Sequence, residues 1–343
     1  MKRYYFNNDL KFSVSDMPDE NILKNQVRIK MKNCGICGSD IHYFLKGENG
    51  GRKILEPLML GHEAVGEIIE TGKNVNKLKI GDRVAINPAS YCENCFFCKI
   101  KKYNLCENVL FFGSAATLPH TQGAFRENIE VPEKQCFKLN DLVSYDKAAF
   151  AEPLAVSLHA ISFVNNFINK KILISGCGPI GLLILKIAIT KIPAKNIFVI
   201  DINNNVLESA KKQGDINTIN LSDKTSFIKE YSNFFDIAFE ASGSIPSIEN
   251  IIKLLRKGGT VIQVGNMPGG QIKIEYNKFM IKELKLFGSY RFSEEFKEAV
   301  ESINNNIFDF QDMLTHKFKL SDCEKAMKTA SNKNISIKVQ VYN

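Results

Sequence analysis

Several kinds of segment are missing from this sequence, and each absence excludes a class of protein. No apolar run approaches the roughly 18 residues that a membrane-spanning helix requires, so we expect no membrane protein. The first residues, 1–6, combine charged and aromatic side chains and lack the apolar segment of a signal peptide. Internal repeats and low-complexity tracts are also lacking. These absences predict a cytoplasmic protein built from ordinary globular domains.

Length and charge limit the remaining choices. The 343 residues exceed what one hydrophobic core comfortably holds, which predicts two domains. The net charge of +8 is compatible with nucleic-acid binding, but the lysines are spread along the chain and the densest group, at residues 99–102, is short. We therefore expect a mildly basic, solvated surface and no nucleic-acid partner, with attraction of anionic substrates as a second interpretation.

Two patterns divide the chain. Residues 1–150 contain short β-like runs separated by Gly and Pro, which predicts a β-rich domain with sites on its loops. Residues 151–289 alternate apolar strands with helices, which predicts a doubly wound parallel sheet. Residues 290–343 are expected to return to the first domain. The predicted fold class is therefore α/β.

A dinucleotide-binding motif, Gly176-Cys177-Gly178-Pro179-Ile180-Gly181, follows the first strand of the predicted sheet and opens a helix. Asp201 ends the next strand, twenty residues after Gly181. The glycines let backbone amides approach a pyrophosphate, and Asp201 can accept hydrogen bonds from ribose hydroxyls. A carboxylate repels the 2′-phosphate of NADP, and residues 202–205 add no basic side chain. We predict NAD rather than NADP; the alternative is a glycine-rich turn without a ligand.

Four of the nine cysteines, Cys92, Cys95, Cys98 and Cys106, fall within fifteen residues. In a reducing compartment this clustering indicates a metal rather than disulfides. Four thiolates on one loop can complete a tetrahedral shell and leave no position for a substrate. The spacing therefore predicts a structural zinc site on which folding depends. An iron–sulfur cluster, which uses similar ligands, is the alternative.

A second, open metal site is suggested by a thiol, an imidazole and two carboxylates, those of Cys37, His62, Glu63 and Glu152. Spacing alone does not decide whether these residues bind a metal, because a lone histidine is more often an ordinary core or surface residue than a metal ligand. Cys34 and Cys37 also form a Cys-x-x-Cys pair, so a thiol–disulfide oxidoreductase is a competing interpretation. The surrounding sequence lacks the βαβ setting typical of thioredoxin-like proteins.

Ser39 and His42 follow Cys37 closely and place a hydroxyl and an imidazole beside the candidate metal ligand. Such groups can carry a proton away from a reacting hydroxyl. The stretch from Cys37 to His42 therefore suggests a metal ligand next to a proton path.

Taken together and in order, these motifs resemble a known family. Gly61-His62-Glu63, Gly81-Asp82-Arg83-Val84, the four-cysteine loop and the glycine motif resemble the zinc-containing medium-chain dehydrogenase/reductase family over essentially the whole chain. The stretches 36–43 and 152–154 resemble its polyol (sorbitol/xylitol-type) branch. The resemblance implies a β-rich GroES-like catalytic domain at 1–150 and 290–343, and a Rossmann NAD-binding domain at 151–289.

The resemblance also implies roles for the metal ligands and an oligomeric state. Cys37 and His62 bind catalytic Zn2+. Glu63 and Glu152 supply carboxylates, and the resemblance leaves open which of the two binds the metal directly and which acts through water. A homodimer or homotetramer is implied, with the region around 260–286 as a contact.

Three other residues match positions of that family. Ser39 and His42 match its proton relay, which together with Glu63 gives the expected catalytic groups. Arg291 matches an arginine that polyol enzymes place near the substrate, where it can grip a sugar-acid carboxylate. A structural salt bridge is the alternative role for Arg291.

The expected activity is oxidation of a secondary alcohol in a sugar acid or polyol, with hydride passing to NAD. Zinc lowers the pKa of the substrate hydroxyl, and the reaction is expected in the cleft between the two domains. L-idonate, which would give 5-keto-D-gluconate, is the substrate expected first, and sorbitol or xylitol is the alternative. A zinc-bearing nucleic-acid binding module is a distant alternative, because it leaves the dinucleotide motif unexplained.

Overall fold

In the computed structural model, residues 1–224 and 226–343 are described, and they form two compact units. The first unit comprises Met1–Ala155 and Ser293–Asn343, and the second comprises Val156–Phe292. The sequence placed the second domain at 151–289, so the observed unit starts five residues later (156 against 151) and ends three later (292 against 289). The start differs because one continuous helix, Ala151–Ser162, runs through the expected boundary.

Residues 1–162 contain twelve strands and four helices. The strands are β1 (Lys2–Phe6), β2 (Phe12–Asp16), β3 (Gln26–Gly35), β4 (Glu48–Asn49), β5 (Arg52–Lys53), β6 (Leu58–Met59), β7 (Glu63–Thr71), β8 (Arg83–Ile86), β9 (Ala89–Ser90), β10 (Leu110–Phe111), β11 (Asn128–Pro132) and β12 (Cys136–Lys138). The helices are α1 (Gly38–Lys46), α2 (Phe96–Lys99), α3 (Tyr145–Ala148) and α4 (Ala151–Ser162). Short 3₁₀ turns lie at Tyr103–Leu105 and Glu133–Gln135.

The remainder of the described chain alternates strands and helices. Its strands are β13 (Ile172–Ser175), β14 (Ile197–Asp201), β15 (Asn217–Asn220), β16 (Phe235–Glu240), β17 (Leu255–Gln263), β18 (Lys285–Gly288), β19 (Leu314–Lys319) and β20 (Lys338–Tyr342). Its helices are α5 (Pro179–Ala188), α6 (Asn204–Lys211), α7 (Phe227–Glu230), α8 (Ile245–Leu254), α9 (Asn277–Ile281), α10 (Glu295–Asn304) and α11 (Cys323–Ser331). Further 3₁₀ turns lie at Ala194–Asn196 and Leu320–Asp322. In the part of the chain that the structure describes, no helix has both the length and the apolar character needed to cross a bilayer.

The first unit is built on a sheet in the order β12-β8-β7-β3-β20-β19, and β11 also pairs with β3. Only the β19–β20 pair is parallel among these described pairs. Strand β3 buries every second residue (Val27, Ile29 and Met31), as its period-two apolar pattern predicts. Because β3 lies between β7 and β20, the ends of three strands that are distant in sequence meet at one place.

The second unit is a parallel sheet in the order β15-β14-β13-β16-β17-β18. This is the doubly wound order 3-2-1-4-5-6, and the predicted fold class is confirmed. Strands β13 and β16 are buried along their whole length, as expected for central strands covered on both faces. The edge strand β15, with the sequence Asn-Thr-Ile-Asn, was not predicted because it carries no apolar run.

Candidate metal and cofactor sites

The four cysteines between β9 and β10 converge on one point. Their sulfur atoms all lie within 4.8 Å of one another. The Sγ of Cys92 is 3.9 Å from that of Cys98 and 3.4 Å from that of Cys106. Four sulfurs at about 2.3 Å from a tetrahedral zinc stand about 3.8 Å apart, whereas a disulfide requires about 2.05 Å. The donor set therefore fits one closed tetrahedral zinc site, as the spacing predicts.

The local backbone favours the thiolate form of these ligands. Backbone N–H groups of Asn94 and Cys95 donate toward Cys92 and lower its pKa to about 6. Those of Cys98 and Glu107 lower the pKa of Cys95 in the same way. Burial acts in the opposite direction at Cys98 and raises its pKa to about 12. Since zinc binds thiolates, metal binding here would displace the proton from Cys98 and couple to folding.

Cys37, His62 and Glu63 form a second cluster, in which one donor atom from each lies within 4.8 Å of the others. Cys37 stands between the end of β3 and the start of α1, while His62 and Glu63 stand at the start of β7. The pairing of β3 with β7 places Gly35 opposite Glu63, and this register joins the two segments. His62 and Glu63 are buried, whereas Cys37 is partly exposed.

The carboxylate of Glu63 fills the space beside Gly35. A Cβ atom at position 35 would lie 1.8 Å from Oε2 of Glu63, so any side chain there would displace the carboxylate. Lys338 Nζ donates a hydrogen bond to Oε1, while Oε2 is buried and has no hydrogen-bond partner among the described residues. An unsatisfied buried carboxylate oxygen is costly. Oε2 therefore fits a metal ligand.

His62 lies in an anionic environment. Its Nδ1 is 3.8 Å from Oδ1 of Asp40, a fully buried carboxylate that accepts hydrogen bonds from the backbone N–H groups of Cys37 (2.9 Å) and Gly61 (3.1 Å). Burial lowers the pKa of His62, but Asp40 and Cys37 outweigh it and raise the pKa to about 10. The surroundings thus stabilise a positive charge here, and sulfur, nitrogen and oxygen donors leaving one open position are typical of catalytic zinc.

Lys338, in β20, is buried against Glu63, and its Nζ also donates to the carbonyl oxygen of Ile36 at 3.1 Å. Burial lowers the pKa of Lys338, but Glu63 and Cys37 outweigh it and raise the pKa. A cation that holds one oxygen of Glu63 fixes the direction of the other, which is how outer groups orient metal ligands.

Glu152 lies in the first turn of α4, buried, and its charge also raises the pKa of His62. Its oxygens are not part of the cluster of described donor atoms within 4.8 Å that includes Glu63. The geometry therefore favours Glu63 as the carboxylate nearest the metal position.

Ser39 and His42 are both half-buried and stand three residues apart on α1, the spacing at which helical side chains are neighbours. Burial lowers the pKa of His42, and Lys46 and Lys333 lower it further. The imidazole is therefore neutral near neutral pH and can accept a proton.

Cys34, the other member of the Cys-x-x-Cys pair, is buried, and burial raises its pKa well above the usual range. A desolvated thiol of this kind is a poor nucleophile. Its neighbour Cys37 instead faces His62 and Glu63. The arrangement favours the metal interpretation over the redox one.

The predicted dinucleotide motif forms the turn between β13 and α5. Gly178 precedes α5, and Pro179 and Ile180 begin it, all three partly exposed. A Cβ at Gly181 would lie 2.0 Å from the carbonyl oxygen of Gly176, so the turn can close this tightly only with glycine. The N-terminus of α5 is thus accessible to a phosphate group.

Asp201 ends β14 next to this turn. Its Oδ1 accepts hydrogen bonds from the backbone N–H groups of Ile202 (2.7 Å) and Asn203 (2.9 Å), and its Oδ2 accepts one from Cys177 (2.7 Å). These contacts fix the carboxylate, and each oxygen retains capacity for a ribose hydroxyl.

Arg291 belongs to the second unit, three residues after β18, and is a member of neither metal cluster. Its backbone has a positive φ of 54°, and its guanidinium carbon lies 4.9 Å from the centre of the Tyr290 ring. Its role toward a substrate stays a prediction.

Asp40 and Lys338 were not among the residues for which the sequence predicted a role. Asp40 lies within a quoted motif, and a carboxylate at the third position of a helix is a recognisable signal for capping the residue before it. Lys338 gives no such signal, because its partner Glu63 is 275 residues away in the chain.

Comparison with known proteins agrees with these features. Residues 23–141 match the family model of the alcohol dehydrogenase GroES-like domain, and residues 179–305 match that of zinc-binding dehydrogenase. Sorbitol dehydrogenase of Bacillus subtilis is 32% identical over 347 residues, covering 100% of this chain and 97% of that protein. L-idonate 5-dehydrogenase (NAD(P)(+)) of Escherichia coli is 34% identical over 318 residues, covering 92% of each.

A solved structure of L-idonate 5-dehydrogenase from Escherichia coli superposes with a TM-score of 0.93 at 32% identity, covering 100% of this chain and 98% of that one. The chain therefore belongs to the zinc-containing medium-chain dehydrogenase family, in its polyol branch. It combines a GroES-like domain with a Rossmann-type sheet, and the family acts on CH–OH groups.

Proposed function

We propose that this protein oxidises a secondary alcohol of a sugar acid or polyol with NAD, and that L-idonate, giving 5-keto-D-gluconate, is its substrate. The cluster of Cys37, His62 and Glu63 carries the proposal, because a buried, unpartnered oxygen of Glu63 stands with a thiol and an imidazole. Zinc bound there would supply a Lewis acid that lowers the pKa of a substrate hydroxyl. Glu63 is the proposed direct carboxylate ligand, and Glu152 acts beside it through water.

The chain itself must take up the hydroxyl proton. Ser39 is the residue proposed to accept it from the substrate hydroxyl, and His42, three residues further along α1, is proposed as the next acceptor in the relay. Burial, Lys46 and Lys333 lower the pKa of His42, so its imidazole stays available as an acceptor to a lower pH than an exposed histidine. Asp40 and Lys338 are positioning residues, since they contact the metal-binding groups.

We propose NAD as the preferred hydride acceptor. Asp201 is held by three backbone N–H groups at the end of β14, where a fixed negative charge would repel a 2′-phosphate. Residues 202–205, Ile-Asn-Asn-Asn, carry no positive charge that would favour NADP.

A sorbitol- or xylitol-type polyol dehydrogenase is the second candidate. It is supported by the identity of 32% to a sorbitol dehydrogenase over the whole chain. The substrates of the two candidates differ in one group: L-idonate carries a carboxylate, and sorbitol and xylitol do not. Arg291 is the residue proposed to bind this carboxylate in bidentate fashion.

Steady-state turnover of L-idonate, sorbitol, xylitol and gluconate, each with NAD and with NADP, tests both points. We expect the highest kcat/KM for L-idonate with NAD. Arg291→Gln should lower kcat/KM for L-idonate by about 10- to 100-fold, since a charge-assisted hydrogen bond contributes about 1.5–3 kcal/mol. The same substitution should change sorbitol turnover much less. Higher kcat/KM for sorbitol than for L-idonate in the wild type would contradict the substrate proposal, and equal losses on both substrates would contradict the role of Arg291.

We further propose a homodimer formed through β18. This strand is the edge of its sheet and is exposed throughout, including the apolar side chains of Leu286 (52%) and Phe287 (37%). An exposed apolar edge strand is a template for pairing with another strand, and a second copy would cover it. β17 pairs on both sides within the sheet, so of the two strands in the predicted contact region β18 is the one with a free edge. Light scattering should give about twice the chain mass of 38.6 kDa, and a monomer mass would contradict this contact.

A further inference from the structure

A cavity of about 500 Å³ lies in the first unit, and none of its walls contains a residue of the two metal clusters. Arg3 and Tyr5 of β1, together with Gln122 and Arg126, supply part of its polar lining. Cavities of this size are typical of small-molecule sites.

Arg3 and Arg126 stand directly opposite each other in this wall. They form an isolated antiparallel bridge. The flanking bonds, from Tyr4 N–H to the Phe125 carbonyl and from Glu127 N–H to the Lys2 carbonyl, are both 3.0 Å long and mark a non-hydrogen-bonded pair. Side chains are closest at such pairs, and like charges there are destabilising. An anion between or beside the two arginines would therefore be stabilising.

The acidic side chains of the cavity are already used. Glu20 pairs with Arg3 at 2.9 Å, and Glu130 pairs with Arg28 at 2.9 Å. Within residues 1–224 and 226–343, the guanidinium of Arg126 makes no ion pair, and the Nε atoms of Arg3 and Arg126 are buried without a hydrogen-bond partner.

Both arginines are affected by burial, with different results. Burial lowers the pKa of Arg3, but Tyr5 and Glu20 outweigh it and leave the pKa raised. At Arg126, burial lowers the pKa and the neighbouring Arg3 lowers it further, while Glu130 and Glu20 act in the opposite direction, and the pKa falls to about 10. Arg126 therefore carries a positive charge that Glu130 and Glu20 compensate only in part, and neither carboxylate forms an ion pair with it among the described residues.

We propose that this cavity binds a small oxyanion, a phosphate or a carboxylate, through the guanidinium groups of Arg126 and Arg3. A planar guanidinium donates two parallel hydrogen bonds to either group. Tyr5 and Gln122 contribute further polar side chains to the lining of the cavity. The site is separate from the proposed reaction, and its test does not depend on turnover.

Calorimetric titration of inorganic phosphate into the zinc-loaded, NADH-saturated protein tests the proposal, because NADH occupies the other phosphate-binding place. We expect one phosphate per chain, and at least a tenfold weaker affinity in Arg126→Gln. Arg126→Lys, which keeps the charge but loses the planar fork, should be intermediate. Arg52→Gln, which removes one positive charge from the exposed strand β5 of the same unit, should bind like the wild type. A parallel titration with acetate separates a carboxylate ligand from a phosphate ligand.

Thermal unfolding gives an independent readout. Without phosphate and at low salt, Arg126→Gln should melt about 1–2 °C above the wild type, because the like-charge pair is gone. Phosphate should raise the melting temperature of the wild type and not that of the variant. Absence of phosphate and acetate binding to the wild type, or equal binding to wild type and Arg126→Gln, would overturn the proposal.

Discussion

Cys37→Ser is expected to lower kcat/KM for L-idonate at least about a thousandfold while the chain remains folded. The substitution removes the sulfur from the cluster with His62 and Glu63, and Lewis-acid assistance to a hydroxyl contributes several kcal/mol to the rate. Metal analysis should show the loss of one of the two zinc ions expected from the two clusters. The melting temperature should change little, because Cys37 is partly exposed and lies outside the four-cysteine loop.

Cys34→Ser is the matched control for this experiment. Cys34 stands three residues away, is buried, and belongs to no metal cluster of the described residues. It should keep both zinc ions and a kcat/KM within about threefold of the wild type. A Cys34→Ser enzyme as inactive as Cys37→Ser would favour the Cys-x-x-Cys redox interpretation instead.

Cys98→Ser is expected to lower the melting temperature by about 10 °C. Loss of one of the four thiolates is expected to weaken zinc binding about a thousandfold, which lowers the free energy of unfolding by about 4 kcal/mol through linkage. Each kcal/mol lowers the melting temperature by about 2–4 °C. Burial raises the pKa of Cys98 to about 12, and a metal is what keeps this sulfur a thiolate in the folded chain. Differential scanning calorimetry, with zinc content measured on the same sample, checks the expectation.

Cys136→Ser provides the comparison in the same unit. Cys136 is partly buried in β12, outside the loop, and its substitution should leave both zinc ions in place. If Cys98→Ser melted like Cys136→Ser and retained two zinc ions, the four-cysteine loop would not be a structural metal site.

The sequence predicted the second unit well because its signals are local. Strands β13, β14 and β16 are short apolar runs with turns after them, and the glycine motif marks where α5 begins. Helix α1 was not predicted, although Asp40 near its start and Gly47, with a positive φ of 67° just after its end, are ordinary helix-end signals. The polar edge strand β15 offers no such signal, because its place depends on pairing with β14.

The candidate metal ligands could be named as a set from the sequence, but the arrangement of their side chains could not. The order of the motifs along the chain predicted Cys37, His62, Glu63 and Glu152 as ligands. It did not decide which glutamate lies nearest the proposed metal position. That choice follows from the register that sets Glu63 opposite Gly35, where the missing side chain leaves room for the carboxylate. The role of Lys338 was not predicted either, because its contact with Glu63 also depends on strand pairing. The pairing of β20 with β3 brings Lys338 to Glu63.

We propose above all that the Cys37–His62–Glu63 cluster holds a zinc ion required for hydride transfer to NAD. Formation of NADH from L-idonate, followed by absorbance while zinc is titrated back into chelator-treated enzyme, tests it most directly. We expect wild-type activity to return with zinc occupancy of this cluster, and Cys37→Ser to stay inactive at every zinc concentration. Full activity in the metal-free wild type, or recovery of Cys37→Ser with added zinc to the wild-type rate, would contradict it.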